Sequence, residues 1–184
     1  MDKRARLTRS DWLLAGFTAL AAAGPVALKA EPMARRLGTT KGSFYWHFAD
    51  VPDFHHQMLA LWSEEAVQHI PAALADQPTP VARLRRLGQI VAGGGHPTLG
   101  DLAVEPAIRA WAQEDASVAK ALAAVDNARI LHIQTLLDEV GITNPEMARI
   151  IYAANVGMQD LGTRDGADNA GPMGSLVDLV LALR

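Results

Sequence analysis

Residues 33–48, MARRLGTTKGSFYWHF, constrain this chain more than any other stretch. Their breakers leave a short helix ending near Leu37, a tight turn at Gly38-Thr39-Thr40, and a second short helix over 41–48. Two short helices joined by a three- or four-residue turn containing glycine form the helix-turn-helix pattern. In that pattern the second helix enters the DNA major groove, which admits a helix and presents a distinct donor and acceptor pattern for each base pair. The side chains suit the task. Lys41 can donate to guanine acceptors or to phosphate, Ser43 can bond either, and Gly42 lets the backbone approach closely. Tyr45 and His47 can donate to phosphate oxygens, while Trp46 is divided between the DNA face and packing against the body. Thr40 stands where a cap would satisfy the free N–H groups of this helix. Phe44 and Phe48, four apart, are expected in the core.

The rest of the chain also reads as helix. Aromatic residues make up 5% of the 184, and alternating β-branched runs are almost absent, so an all-α fold is expected. Thr8-Arg9-Ser10-Asp11 reads as a capping box opening a helix over 10–23, which Gly24-Pro25 stops. The charged start MDKRAR and the apolar stretch after it imitate a secretory signal. The capping box and the helical spacing of Leu13, Gly16, Phe17, Leu20 and Ala23 favour a folded helix instead. A second helix is expected over 31–37, with Pro32 in its first turn. Asp50 should cap a longer helix reaching about residue 69, before Pro71, Pro78 and Pro80 punctuate a connection. Helices follow over 81–92, near 101–113, and over 117–140, 145–161 and 174–183. Gly93 to Pro97 reads as a linker, and 162–174, rich in Gly and Asp, is expected to be mobile.

Charge is unevenly spread. Residues 1–50 hold eight basic and four acidic side chains, so a head of +4 precedes a remainder of −7 in a chain of net charge −3. A basic head on an acidic body fits a nucleic-acid reader joined to a domain that does not bind nucleic acid. The absence of cysteine excludes disulfides and thiolate zinc sites. No run approaches the ~18–20 apolar residues of a membrane span, so no membrane partner is expected. His55 and His56 are adjacent and diverge on a helix, and Glu65 with His69 makes only two ligands, so no metal is expected. There is no G-x-S-x-G, and Gly93-Gly94-Gly95 lacks the Lys-Ser/Thr of a phosphate loop. No catalytic residue and no cofactor are therefore assigned, and an enzyme is not expected.

Residues 33–48 resemble the signature of the tetracycline-repressor (TetR) family, in which Tyr, an aromatic or His, His and an apolar residue end the recognition helix. The resemblance is dense over 8–61, and Ala107-Ile108-Arg109-Ala110-Trp111-Ala112 is similar to a stretch in many members. It implies a cytoplasmic, bacterial, homodimeric DNA-binding regulator, usually a repressor that binds a palindromic double-stranded operator and is released by a small-molecule effector. A three-helix reader would occupy 1–50, and an antiparallel helical bundle for effector binding and dimerisation 51–184. By position, Lys41, Gly42, Ser43, Tyr45, Trp46 and His47 fall on the recognition helix, with Thr40 at its start.

The chain departs from the family where phosphates are usually gripped. Lys29, Ala30 and Glu31 replace the common Thr or Ser followed by Arg, and Ala49-Asp50-Val51 lacks the usual Lys. Lys29 and the arm residues Arg4 and Arg6, with Lys3 and Arg9 beside them, are expected to supply backbone contacts instead, with a stronger salt dependence. Effector candidates are Phe54, Met58, Trp62, Trp111, His132 and Gln134, an apolar and aromatic set with a few polar tips. The dimer interface is expected on Ile150, Ala154, Gly157, Met158 and Leu161, with Leu176 and Val180. The alternative, motivated by Ala30, Glu31 and Val51, is a helical small-molecule-binding protein with weak or lost DNA binding.

Overall fold

The computed structural model describes residues 7–93 and 104–184, and among these every regular element is helical. Lys3, Arg4 and Arg6 of the arm, the loop from Gly94 to Pro97, and the start of the helix expected near Asp101 lie outside the described residues.

The helix α1 (Arg9–Ala23) opens on the expected capping box. Thr8 N–H donates to Asp11 Oδ2 at 2.7 Å, and Asp11 N–H donates to Thr8 Oγ1 at 3.2 Å. Two N–H groups that the helix cannot pair internally are thereby satisfied. Gly24, at φ 70°, ends α1. A 3-10 turn (Pro25–Leu28) that the breakers did not announce then leads to α2 (Ala30–Arg36). The turn after α2 is a Schellman motif. Gly38 N–H donates to Arg35 O at 3.2 Å and Thr39 N–H to Ala34 O at 2.9 Å, with Gly38 at φ 64°. The third helix, α3 (Lys41–Tyr45), is shorter than the expected 41–48. His47 N–H reaches back only three residues, to Phe44 O at 2.9 Å, so the last turn tightens out of α geometry.

Asp50 caps α4 (Val51–Leu74) by accepting from Asp53 N–H at 2.7 Å. This helix passes residue 69 and continues through Pro71. Leu74, 2% exposed, anchors its last turn in a hydrophobic core, and that burial outweighs the missing proline N–H. The remaining helices are α5 (Pro80–Gly93), α6 (Val104–Trp111), α7 (Ala116–Glu139), α8 (Pro145–Asp165) and α9 (Ala170–Leu181). Among them α5 packs on α9, α8 on α7, and α4 on α7, while α6 lies against α1. The stretch 162–174 is mostly helix, contrary to the mobile segment expected. Gly166, at φ 68°, caps α8, and the Asn169 amide donates to Met158 O at 2.9 Å, fastening the short connection.

Two cores result. The first joins Trp12, Phe17, Phe44 and Phe48 to Phe54, Met58 and Trp62 of α4, and to Ile108 and Trp111 of α6. The second gathers Leu74, Leu84, Leu137, Ile151 and Val177 at the far end of the bundle.

Candidate nucleic-acid interface and ligand cavity

Aromatic contacts fix the outward face of α3. Phe44 meets Trp12 of α1 edge-on at 5.5 Å between centroids, and Phe54 of α4 at 5.4 Å; Phe48 stands 4.8 Å from Phe54. Each such pair adds about 0.5–1.5 kcal/mol to the burial itself. Residues four apart share a helix face, so burying Phe44 and Phe48 turns Lys41, Gly42, Tyr45 and Trp46 to solvent. Trp46 is 81% exposed, which places it outside the body's packing. Thr40 Oγ1 accepts from Ser43 N–H at 3.3 Å, making the cap. Ser43 is half-buried, and so is His47, whose ring lies 6.2 Å from that of Trp12.

A shallow depression brings Lys29, Glu31, Arg35, Lys41, Tyr45 and Val51 onto one surface. Lys29 and Glu31 are exposed, while Ala30 is buried beneath them. Arg35 is a residue that sequence reading passed over. It stands four after Glu31 on the same exposed face of α2, a spacing that could have flagged it. Three cations thus surround one carboxylate. Arg4 and Arg6 lie outside the described residues.

A second site lies inside the bundle. A cavity of about 680 Å³ opens between α4, α5, α6, α7, α8 and α9. Of the six residues expected to line it, the structure brings Trp62 and His132 to its wall. The other four sit elsewhere. Phe54 and Met58 are fully buried in the first core, Trp111 stacks edge-on against His55 at 4.9 Å, and Gln134 donates to Asp138 Oδ1 at 2.8 Å. Sequence reading missed Tyr152, Asn155 and Gln159, which recur at helical spacing on one face of α8 and line the cavity. Polar residues on an otherwise apolar inner face were the available signal.

An ionic cluster closes one side of the cavity. Arg129 donates to Glu105 Oε1 at 2.6 Å, and Arg109 donates to Glu105 Oε1 at 3.0 Å and to Asp126 Oδ1 at 2.8 Å. Tyr152 O–H donates to Asp126 Oδ1 at 2.7 Å. Two guanidiniums face two carboxylates, so the cluster is neutral. Burial pushes the Tyr152 phenol up to about 12. Burial opposes the charge on Arg109, but Asp126, Tyr152 and Glu105 outweigh it and raise its pKa. At the edge of the first core, His55 Nε2 lies 3.3 Å from Leu28 O, tying α4 to the 3-10 turn before α2.

The residues expected at a dimer interface divide. On α8, Ile150 and Leu161 are 51% and 56% exposed, Gly157 is exposed, and Ala154 and Met158 are half-buried. On α9, Leu176 is half-buried and Val180 only 3% exposed, both lining the cavity. The outward apolar residues at that end are Leu179 and Leu183. Among the described residues no three His, Asp or Glu side chains cluster as metal ligands, and no helix is long and apolar enough to cross a membrane.

No family model matches the chain, and no curated protein sequence matches it at a significant level. Solved structures do. A protein described as a TetR-family transcriptional regulator from Rhodococcus sp. superposes with a TM-score of 0.73 at 19% identity, over 94% of this chain and 97% of that one. The fatty acid degradation regulator FadR from Bacillus halodurans gives 0.72 at 14% identity, over 97% of each chain. AmtR from Mycobacterium smegmatis gives 0.61 at 21% identity, over 98% of this chain and 89% of that one. In fold, over nearly its whole length, this chain is TetR-like.

Proposed function

We propose that this chain is a transcriptional regulator of the TetR type, a cytoplasmic repressor that binds a palindromic operator as a homodimer and leaves it when a small molecule fills the bundle cavity. One observation carries the reading: α3 turns Lys41, Gly42, Tyr45 and Trp46 outward from a capped, ring-anchored helix, beside Lys29 and Arg35. The reader is residues 1–50, and the effector-binding and dimerisation part 51–184. Base edges fall to Lys41 and Ser43, with Gly42 allowing close approach. Phosphates fall to Tyr45, His47, Lys29, Arg35, Arg4 and Arg6. Thr40 caps the helix, and Trp46 contacts the DNA face. No catalytic role, metal or cofactor is assigned.

The dimer is placed on the outward faces of α8 and the last turns of the chain, where Ile150, Ala154, Gly157, Met158, Leu161, Leu179 and Leu183 leave apolar surface uncovered. A twofold axis there would match the symmetry of paired half-sites. The second reading, a ligand-binding protein with weak DNA binding, is favoured by Glu31 alone, a carboxylate standing among the cations of the interface.

A gel shift with the DNA flanking the chain's own gene, run across a salt series, separates the two. A sequence-preferring complex at low salt is expected; its absence favours the second reading. Lys41→Ala with Tyr45→Ala should abolish that complex and leave the dimer intact by light scattering. Unchanged binding would overturn the residue assignment.

A further inference from the structure

The bundle cavity carries chemistry that narrows what can occupy it. Asn155 is 9% exposed and lines the cavity, and among the described residues its side-chain amide has no hydrogen-bond partner. The amide borders the cavity, so a partner for it comes from inside that space. His132 Nε2, on the neighbouring helix α7, is buried without a hydrogen-bond partner among the described residues. Most of the remaining wall is aliphatic, from Ile70, Leu84, Ile90, Leu131, Leu176 and Val177.

Formal charge is the deciding point. Arg129 is the only Lys or Arg on the described wall, and Glu105 already neutralises it at 2.6 Å. The guanidinium behind it, Arg109, is held by Glu105 and Asp126. An anionic ligand would therefore enter with no free arginine or lysine to meet it, and would have to break the Arg129–Glu105 pair. Burying a charge without a partner is far more costly than burying a bonded hydroxyl or carbonyl. An ammonium would need a carboxylate; Glu105 is spent on two arginines, and Glu65, the other carboxylate on the described wall, is not free either.

We infer that this cavity takes an uncharged, largely aliphatic molecule whose hydroxyl or carbonyl end bonds to Asn155 and His132. The inference rests on the reading of the cavity as the effector site and gives that site a ligand class. The volume, about 680 Å³, falls within the roughly 300–1,000 Å³ of small-molecule sites.

The test uses the full chain and three probes of equal length: 1-decanol, decanoate and decylamine, each below its micelle concentration at pH 7.5. Calorimetric titration and melting curves report binding, since a ligand that prefers the folded state raises the melting temperature. Decanol should bind and stabilise, and the two charged probes should bind at least about tenfold more weakly, as one lost or unpaired polar contact implies. Asn155→Leu, and Asn155→Ala should the first not fold, should weaken decanol about tenfold. Decanoate or decylamine binding as tightly as decanol overturns the neutral class while leaving the effector site standing. Unchanged decanol affinity in both Asn155 variants overturns the role of Asn155, whose partner is then water alone. If none of the three binds, the effector-site reading itself falls, and the inference with it.

Discussion

Gly16 of α1 lies so close to Met58 of α4 that a β-carbon at residue 16 would stand 2.7 Å from the methionine sulfur and 2.7 Å from Phe54 Cζ. The two helices that join the helix-turn-helix to the bundle thus meet nearly backbone to side chain. Met58 can shift, but the Phe54 ring is clamped by Phe44 and Phe48. Gly16→Val should cost about 1–3 kcal/mol by overpacking. The melting temperature should fall by several degrees in a thermal scan, and an unchanged melt would mean the junction is softer than described.

Tyr152→Phe removes the hydroxyl that donates to Asp126 at 2.7 Å and accepts from Arg109 at 2.9 Å. Asp126 keeps its arginine, so the loss should be about 1 kcal/mol rather than that of a stranded buried charge. Urea denaturation should show a lower midpoint at an unchanged slope.

Acid should loosen the first core around His55. Burial holds His55 below its ordinary value of 6.5, against the opposing bond to Leu28 O and the charge of Asp115. The unfolded chain then takes up a proton below about pH 6.5 that the folded chain refuses. Stability is full above 6.5 and declines as pH falls toward the depressed folded value. His132, also lowered by burial, acts in the same direction. His55→Gln should flatten, without abolishing, the drop in melting temperature between pH 7.5 and 5.5. The cap carboxylates Asp11, Asp53 and Asp115 are held down by hydrogen bonds from Thr8, Gln57 and Ser117 respectively. They add a second loss, at pH values below about 3.8.

Arg35→Ala should weaken operator binding about equally for all sequences and reduce the slope of log affinity against log salt by about 1 if Arg35 meets a phosphate. Lys41→Ala should instead relax base preference as well. Filter binding from 50 to 200 mM salt distinguishes the two patterns.

The helix-turn-helix was legible because its signals are local. A capping box at Thr8 and Asp11, a glycine at Gly38 and two phenylalanines four apart each fix geometry within a few residues, and each stands where the spacing placed it. The cavity was less legible because its wall is assembled from six helices. Which face of α7 or α8 points inward depends on packing partners distant in sequence, so Gln134 could not be told from His132, nor Asn155 from an ordinary surface amide. Pro71 misled for the same reason: its local cost is visible in the sequence, while the burial of Leu74 that offsets it is not.

Trp62 faces two ways. Its ring is buried in the core that holds Phe44 and Phe48, and it also forms part of the cavity wall, as Ala66 and Val104 do. The helix-turn-helix core and the cavity therefore share these side chains as a common partition. An operator gripping α3 and a molecule filling the bundle would draw on the same few side chains, and any influence passing through them must be mutual. On the proposed function, whatever factor a small molecule took from DNA affinity DNA would take from the small molecule, so an effector titration performed with operator present should read weaker by the same ratio.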